Sequence, residues 1–425
     1  MIRRVTVAVL LVLGSLAVAS PALAVDPPLD DARQVEGGEL HTCAVTSDNK
    51  ALCWGDSTYG QVGFGNIAGS GVAVPVFAVD GSSFLSSVRQ VTAGGRHSCA
   101  VLLNNQARCW GDNTYGQLGS GGPSIDHAAV VLNGPGTGPL TGVRSIGAGY
   151  NHTCALLVSG QVRCWGFNNG GQLGDGTTTG RPRPVGVRST NGTAPLTDAV
   201  QLSVGAHHAC VTIESGQARC WGVGEHGRIG DGTQIDRKRA VVVRNETGRG
   251  PLTGVRQVVA GGTHTCALVS GGQVRCWGLN AAHQLGTQGP ATQRLLPVIV
   301  RVRTGSQPPF TGAVALGTAN NTTCAVLASG QVRCWGDDGQ AELGNGPATG
   351  QIGPVAVRSP AGGIDPPPGP GNLTGITQVG GGGDHLCARR ANGRAYCWGA
   401  NGSGQIGFGS NNDPVHRPTS VLRAT

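Results

Sequence analysis

The stretch HTCALLVSGQVRCWG, residues 152–166, is one of seven copies that follow one another along the chain and decide its fold. The first cysteine of the copies recurs at intervals of 56, 55, 56, 56, 58 and 63 residues, and a second cysteine always follows ten positions later. Trp-Gly comes directly after it, so the copies contain all 14 cysteines and all 7 tryptophans. Such a period indicates a repeat protein in which each unit packs on its neighbours.

Each copy has the pattern of four short β-strands. In the fifth copy, β-branched and apolar runs occupy residues 255–259, 265–269, 273–277 and 296–302, separated by glycine turns. Four antiparallel strands per unit, in seven units, predict an all-β fold, a seven-bladed β-propeller with four antiparallel strands per blade. We expect the propeller to occupy residues 25–425, with repeats at roughly 33–87, 88–142, 143–198, 199–254, 255–312, 313–375 and 376–425.

The two cysteines of each copy are predicted to form one disulfide within their blade. Residues ten apart around a turn face each other in a hairpin, with Cα atoms about 4.5–5.5 Å apart, which suits a disulfide. Zinc sites instead place cysteines about two to four residues apart in paired clusters, so we expect no metal. The predicted pairs are Cys43–Cys53, Cys99–Cys109, Cys154–Cys164, Cys210–Cys220, Cys266–Cys276, Cys324–Cys334 and Cys387–Cys397.

The pattern G-x-x-H-T-C-A-L…S-G-Q-V-R-C-W-G-x-N-x-x-G-Q-L-G at residues 149–174 resembles the regulator of chromosome condensation repeat family. The resemblance implies a seven-bladed propeller. The chain looks like an exported bacterial subtype of this family and is distantly similar to the type II β-lactamase inhibitor protein, which holds an enzyme with loops from one face. The chain departs from the pattern at Thr322, which replaces histidine, at residues 341–343, and at His283, which replaces glycine. We expect altered loops in the fifth and sixth blades.

Residues 1–24 have the features of a secretory signal peptide. Arg3 and Arg4 precede an apolar run at residues 5–18, and Ala22-Leu23-Ala24 supplies the small residues of a cleavage site. The run is short for a membrane span, which takes about 20 residues. We therefore expect a secreted protein, extracellular or periplasmic, without stable membrane insertion and monomeric.

The charge of the chain is mildly basic. Its formal net charge is +8, which falls to +6 without Arg3 and Arg4, and the arginines are spread along the sequence. A protein that binds nucleic acid usually groups its basic residues, so we expect no nucleic-acid partner.

Two polar columns recur with the cysteines. A histidine stands two positions before the first cysteine in six copies, and we expect each ring to bond backbone within its own blade rather than to hold a metal. An arginine precedes the second cysteine in five copies, where stacking on the tryptophan two residues later is favoured over an anion-binding ring. The histidines are His41, His97, His152, His208, His264 and His385, and the arginines are Arg108, Arg163, Arg219, Arg275 and Arg333.

The sequence contains no catalytic motif, and we expect neither an enzyme nor a cofactor. The dinucleotide pattern at residues 222–227 lacks the helix that must follow it. The loop after Trp-Gly varies most between copies and is the predicted site of partner binding, because exposed aromatic residues often anchor interfaces. Its candidate residues are Tyr59, Tyr115, Phe167, Glu225, His226, Asp337 and Asp338.

These observations favour an exported scaffold that binds a protein partner, with inhibition of an enzyme as one such role. A cell-surface or carbohydrate-binding module is the alternative. Guanine-nucleotide exchange, the activity of the family's nuclear member, is disfavoured, since fourteen paired cysteines suit an oxidising compartment.

Overall fold

The fold is a ring of seven four-stranded antiparallel sheets in a computed structural model. The structure describes residues 26–190, 192, 194–287, 292–302, 308–347, 353–360 and 371–425, so the predicted signal peptide lies outside the described residues. The all-β class, the seven blades and the four strands in each blade are confirmed. The helical segments of the described chain are two short 3₁₀ turns, Glu225–Gly227 and Ser270–Gly272.

The strands follow the same order in every blade, from the first, which lines the central channel, to the fourth at the rim. The first strands are β1 (Ala32–Gly37), β5 (Val88–Ala93), β9 (Val143–Ala148), β13 (Ala199–Val204), β17 (Val255–Ala260), β21 (Ala313–Thr318) and β25 (Ile376–Gly381). The second are β2 (His41–Thr46), β6 (His97–Leu102), β10 (His152–Leu157), β14 (His208–Ile213), β18 (His264–Val269), β22 (Thr322–Leu327) and β26 (His385–Arg390). The third are β3 (Ala51–Asp56), β7 (Ala107–Gly111), β11 (Val162–Gly166), β15 (Ala218–Gly222), β19 (Gln273–Leu279), β23 (Val332–Gly336) and β27 (Ala395–Gly399). The fourth are β4 (Gly69–Pro75), β8 (Ile125–Val130), β12 (Arg181–Gly186), β16 (Arg237–Val242), β20 (Gln293–Ile299), β24 (Val355–Ala356) and β28 (Val415–Ser420).

The fourth strand of the fifth blade begins earlier than the sequence pattern indicates. We expected residues 296–302, whereas β20 covers Gln293–Ile299. Its end is fixed by pairing of Ile299 with Arg275, and Arg301 already bridges to Pro309 in the connection to the next blade. Apolar residues continue past the strand because that connection also packs on the core.

The hydrophobic core lies between blades. Each tryptophan is fully buried and packs on the preceding blade, as Trp221 does against Leu156 and Val162. Because strands alternate their side chains between two faces, every sheet contributes to two such layers. Stability therefore comes from contacts between neighbours, as in other repeat proteins.

Each blade contains the predicted disulfide. The paired cysteines face each other across the second and third strands, as Cys154 does with Cys164, and all seven pairs have Cα atoms 4.0–4.1 Å apart. This is closer than the expected cross-strand separation, since the bond holds the two backbones at their nearest approach. Every cysteine is paired.

Glutamine side chains join the first strand of one blade to that of the next. Gln90 is typical, because its amide donates to the carbonyl of Ile146 at 3.0 Å while its Oε1 accepts from the Ile146 amide at 3.1 Å. The same pair of hydrogen bonds forms at five of the seven blade junctions. The glutamines are Gln34, Gln90, Gln201, Gln257 and Gln378. Ser145 and Ala315 take this position in the third and sixth blades.

The ring closes between adjacent blades. β1 and β28 belong to different sheets, so the first and last strands do not share a blade. The segment before β1 crosses to the seventh blade, where Leu29 donates to the carbonyl of Val421 at 2.8 Å and accepts from Ala395 at 3.0 Å. The final residues reach the first blade, where Ala73 donates to Leu422. Each terminal segment thus reaches across the closing junction.

Candidate functional site: the loop face

Two loops of every blade emerge at the same end of the ring, which we call the loop face. These are the connection from first to second strand and the connection from third to fourth strand. In blade 2 the amide of Asp112, after the third strand, donates to the carbonyl of Arg96, in the other loop, at 2.9 Å. The same bond forms in all seven blades. All the variable loops therefore lie on one face, around the mouth of the channel.

The variable loop folds into the same turn in each blade. Leu173 donates its amide to Oδ1 of Asn168, and the next turn begins with a residue of positive φ, Gly171. His283 and Ala341 hold this position in blades 5 and 6 with φ of 61° and 65°, and both accept the following turn bond. The expectation of altered loops is therefore wrong for this turn, because a non-glycine residue adopts the left-handed conformation there.

The aromatic candidates pair across neighbouring blades and stay partly exposed. The guanidinium of Arg96 lies 4.5 Å from the ring centroid of Tyr59 and donates to its hydroxyl at 2.9 Å. Tyr115 meets Phe167 edge to face, with ring centroids 5.0 Å apart. Tyr59 and Tyr115 remain 39% and 46% exposed. They combine packing on a neighbour with a surface that a partner can contact.

The charged candidates divide into exposed and structural groups. Glu225 is exposed and lies 3.5 Å from His226, which also contacts Gln293 of the next blade. Asp337 is half-buried. Asp338 is only 6% exposed, and its Oδ1 accepts the amide of Leu343, so it supports the loop rather than presenting a charge.

A polar rim around the channel mouth was not predicted. The Tyr150 hydroxyl donates to Oε1 of Glu39 at 2.7 Å, joining blade 3 to blade 1 over Gly95 of blade 2. His207 lies beside Tyr150, with ring centroids 5.7 Å apart. Burial raises the pKa of Tyr150, and the bond to Glu39 adds to this rise. In the sequence, this rim is indicated by the variability of the one or two positions before the recurring histidine.

The loop face is strongly acidic. Its loops, residues 38–40 and 56–68 in the first blade and their equivalents in the other six, contain twelve acidic and two basic residues, a formal charge of −10. Its acidic residues are Glu39, Asp56, Asp112, Asp175, Glu225, Asp231, Asp236, Asp337, Asp338, Glu342, Asp384 and Asp413. Arg181 and Arg237, at the start of fourth strands, bind Asp175 and Asp231 of these loops, and most other arginines lie outside the loops.

Glu342, between blades 6 and 7, is partly protonated near neutral pH. Burial raises the pKa of Glu342 to about 7, and Asp337 and Asp384 add to the rise. Burial also raises the pKa of Asp384. The described residues include no group of three histidine, cysteine or carboxylate side chains able to hold a metal.

The central channel is narrow and mostly lined by small residues. Its cavity is about 460 Å³. Glu36 lies on its wall against Gly380 and accepts a hydrogen bond from Gln378 at 3.1 Å. Burial raises the pKa of Glu36 to about 7. Positions equivalent to Glu36 hold uncharged residues, including Thr92 and Ser203, so Glu36 is the one acidic group at this level of the wall.

The recurring histidines join blades, which differs from our expectation of a bond within one blade. Nε2 of His97 lies 2.8 Å from the hydroxyl of Thr153 in the next blade, and that hydroxyl donates to the carbonyl of Gln117. The Trp165 indole donates to the same carbonyl at 2.9 Å. Because the hydroxyl proton is already used, the histidine must donate from Nε2. His41, His97, His208, His264 and His385 all make this link.

The recurring arginines do not stack on tryptophan. Arg163 donates to Oε1 of Gln161, two residues earlier, at 3.1 Å, and Arg108, Arg219 and Arg275 bond their glutamines in the same way. In the described chain the cation–π pairs join Arg96 with Tyr59 and Arg390 with Tyr396. The arginines lie toward the end of the ring opposite the loop face.

The fold and the repeat assign the chain to a family. The model of the RCC1-like domain matches residues 86–424, and models of the regulator of chromosome condensation (RCC1) repeat match residues 32–61 and 48–101. The chain belongs to the RCC1-like family.

Several known proteins are similar along most of the chain. The ultraviolet-B receptor UVR8 of Arabidopsis thaliana is 27% identical over 382 residues, 89% of this chain and 79% of the receptor. The human E3 ubiquitin-protein ligase HERC2 is 28% identical over 327 residues, 76% of this chain but only 6% of the ligase. Among solved structures, Prp20p of Saccharomyces cerevisiae aligns with a TM-score of 0.67 at 19% identity, covering 93% of this chain and 88% of that one. At that identity the likeness shows the fold alone.

No helix in the described part of the chain has the length and apolar character needed to cross a membrane.

Proposed function

We propose that this chain is an exported, non-catalytic propeller that binds a protein partner through its loop face. The observation that carries the proposal is the placement of Tyr59, Tyr115 and Phe167 on one face, half-exposed and held by neighbouring blades. Rigid aromatic side chains lose little conformational entropy on binding and are frequent interface anchors. The loops of the same face have a formal charge of −10, offset in part by Arg181, Arg237 and the raised pKa of Glu342, and this favours a partner with a basic contact surface.

Export is supported by the predicted signal peptide and by seven disulfides, which persist in oxidising compartments. It also disfavours guanine-nucleotide exchange, whose substrate is an intracellular GTPase. Inhibition of a secreted enzyme is one role that such a clamp serves, as the resemblance to exported inhibitor proteins suggests. Removal of residues 1–24 should retain the protein inside the cell, which fractionation of the producing host measures.

The binding test uses affinity capture from culture medium with the mature protein as bait. A stoichiometric partner should be captured by the wild-type protein and lost with the variant Tyr59→Ala/Tyr115→Ala/Phe167→Ala. The matched control, Leu103→Ala/Val158→Ala, removes exposed apolar residues from the opposite end of the ring and should retain capture. Equal loss with both variants, or capture by neither wild type nor control, would contradict the loop-face assignment.

A carbohydrate-binding module is the second candidate, and one observation favours it. Phe64, Phe77 and Phe84 of the first blade form a stack with centroids 5.0 and 5.5 Å apart, and Phe84 is 48% exposed. Sugar rings stack on such aromatic surfaces. A glycan array that binds the wild-type protein but not Phe84→Ala would support this function, and an empty array would exclude it.

A further inference from the structure

Most of the positive charge lies outside the loop-face loops, on the strands and on the end of the ring opposite the loop face, which we call the turn face. The described residues outside the loop-face loops include 26 arginines and lysines and 10 acidic residues. Guanidinium groups on this side come from the same strand positions in successive blades, so they repeat around the ring. Guanidinium groups that lie close together in this way are able to bind an anion.

Grooves between blades hold the arginines of the third strand. By strand alternation Arg163 shares a side of its sheet with Trp165, which bonds Gln117 of the preceding blade. Arg163 therefore lies in the groove between blades 2 and 3, and Arg219 lies in the groove between blades 3 and 4. A Cβ at Gly186, in the fourth strand, would lie 2.9 Å from Nη1 of Arg163, so the guanidinium rests on glycine backbone.

The fourth strand adds a second arginine to each of these two grooves. Arg183 donates to the carbonyl of Pro135 in the blade 2 connection at 3.3 Å and lies over Gly136. Arg239 lies over Gly176 and Gly192 of blade 3 in the same way. We call the two pairs, Arg163 with Arg183 and Arg219 with Arg239, the basic grooves.

The basic grooves lack a bound carboxylate. Within the described chain none of their four guanidinium groups forms an ion pair, and the facing connection of blade 2, residues 131–142, has no charged residue. Burial lowers the pKa of Arg219, and the more distant Asp198 offsets only part of this effect. Each guanidinium has five N–H donors, of which the described hydrogen bonds use at most two.

The neighbouring groove shows which group completes such a site. Between blades 4 and 5, Arg275 is bound by the carboxylate of Glu246, which comes from the connection of the preceding blade. Arg275 is then only 13% exposed. Leu296 replaces the second arginine here, with its side chain against Gly248. The chain thus fills one groove with its own glutamate and leaves the two more basic ones without it.

We propose that the basic grooves bind carboxylate side chains of an acidic polypeptide segment, one glutamate or aspartate entering each groove as Glu246 does between blades 4 and 5. Charge-assisted bonds from a planar guanidinium suit a carboxylate. Two adjacent grooves should bind a segment with several acidic residues more tightly than one with a single acidic residue, because the second contact is intramolecular once the first has formed. This site uses side chains other than the aromatic candidates of the loop face and does not depend on the function proposed for that face.

The test measures binding of a fluorescent peptide of alternating glycine and glutamate by anisotropy at low and at physiological salt. Arg163→Gln/Arg183→Gln and Arg219→Gln/Arg239→Gln should each weaken binding by up to roughly five-fold, which corresponds to the loss of a partly exposed ion pair of about 1 kcal/mol. Glu246→Gln removes the internal carboxylate and should strengthen binding about two- to three-fold. The glycine–glutamine peptide should not bind.

The control is Arg33→Gln, which removes one positive charge, against two in each groove variant, from an arginine of the turn face that bonds Asn49 and lies outside the basic grooves. It should leave the peptide affinity within about two-fold of the wild-type value. Equal weakening by Arg33→Gln would show a diffuse charge effect and overturn the proposal, as would tighter binding of heparin that none of the groove variants changes. Loop-face variants should bind the peptide normally, so failure here is distinguishable from failure of partner capture.

Discussion

Five of the seven junctions between blades are built differently from the other two. At the five, a glutamine and a histidine of one blade both bond the next, as Gln90 and His97 do in reaching blade 3. At the junction of blades 3 and 4 both links are missing, because Ser145 replaces the glutamine and Ala209 replaces the hydroxyl residue. At the junction of blades 6 and 7 both are missing again.

Apolar packing takes over where the hydrogen bonds are absent. Val204 packs against Gly147 at the junction of blades 3 and 4, and Leu386, in the position of a threonine, is fully buried near Ala319 at the junction of blades 6 and 7. Replacing both partners of a hydrogen bond by apolar groups costs little, whereas leaving one unpaired costs its desolvation. At the junction of blades 6 and 7 both partners of the histidine link are replaced, by Thr322 and Leu386. His152 is the exception, since its Nε2 is buried without a partner among the described residues.

Acidification should have the largest effect on stability, because it acts on all the buried histidines together. Burial lowers the pKa of His41, His152 and His264 to about 3 and that of His97 and His385 to about 4, and it lowers that of His208 as well. The unfolded chain, with histidine pKa near 6.5, therefore takes up protons first as pH falls. Stability should be constant above about pH 7 and fall by several kcal/mol between about pH 6.5 and 5.

Two carboxyl groups act in the opposite direction on this pH profile. Glu36 and Glu342 each have a pKa of about 7 in the folded protein, so keeping them ionised there destabilises the fold. Protonation removes this destabilisation as pH falls from about 7 to 4.5. Six histidines outweigh two glutamates. Denaturant unfolding at a series of pH values measures the net slope, and a stability that rises on acidification would contradict the assignment of neutral buried histidines.

A smaller effect separates the two kinds of junction at neutral pH. His97→Ala should lower the free energy of unfolding by about 2–3 kcal/mol, since it leaves the Thr153 hydroxyl without its donor and opens a cavity. His152→Ala should cost about 1 kcal/mol less, because the Nε2 it removes has no partner. Chemical unfolding of the two variants at pH 7.5 tests this difference. Equal losses would show that the histidine–hydroxyl bond adds nothing at the linked junctions.

The smallest effect is expected from a substitution that restores a missing link at a junction. Ala209→Thr supplies the hydroxyl that His152 lacks and should raise the free energy of unfolding by about 1 kcal/mol. Thr265→Ala, the reverse change at the junction of blades 4 and 5, should lower it by about 1–2 kcal/mol. Thermal melts of both variants give the comparison. A destabilised Ala209→Thr protein would mean that the apolar junction has no room for the hydroxyl.

The period of the repeat predicted the fold because local pattern, spacing and cysteine pairing all indicate the same hairpin. The links between blades were not predictable in the same way. His97 and Thr153 are 56 residues apart, and only the curvature of the ring brings them into contact. Nothing in the sequence pattern brings Ser145 and Ala209 to the same junction, whereas in the structure both lie between blades 3 and 4.

The candidate site was predicted in its location but not in all its members. Tyr59, Tyr115 and Phe167 lie on the loop face because their loops follow a fixed strand. Asp338 looked like a surface charge but is buried as a loop cap. The Glu39–Tyr150 contact joins blades 1 and 3 over Gly95, a relation that no sequence spacing expresses.

We infer that links between blades hold the scaffold while the loop face binds the partner. The most direct test measures melting temperature and partner capture for two proteins, Tyr59→Ala/Tyr115→Ala/Phe167→Ala and His97→Ala. The loop-face variant should melt within roughly 5 °C of wild type and lose capture, since exposed aromatic pairs contribute only about 0.5–1.5 kcal/mol. His97→Ala should melt lower but retain capture while folded. A loop-face variant that unfolds, or a folded His97→Ala protein that no longer captures the partner, would contradict the claim.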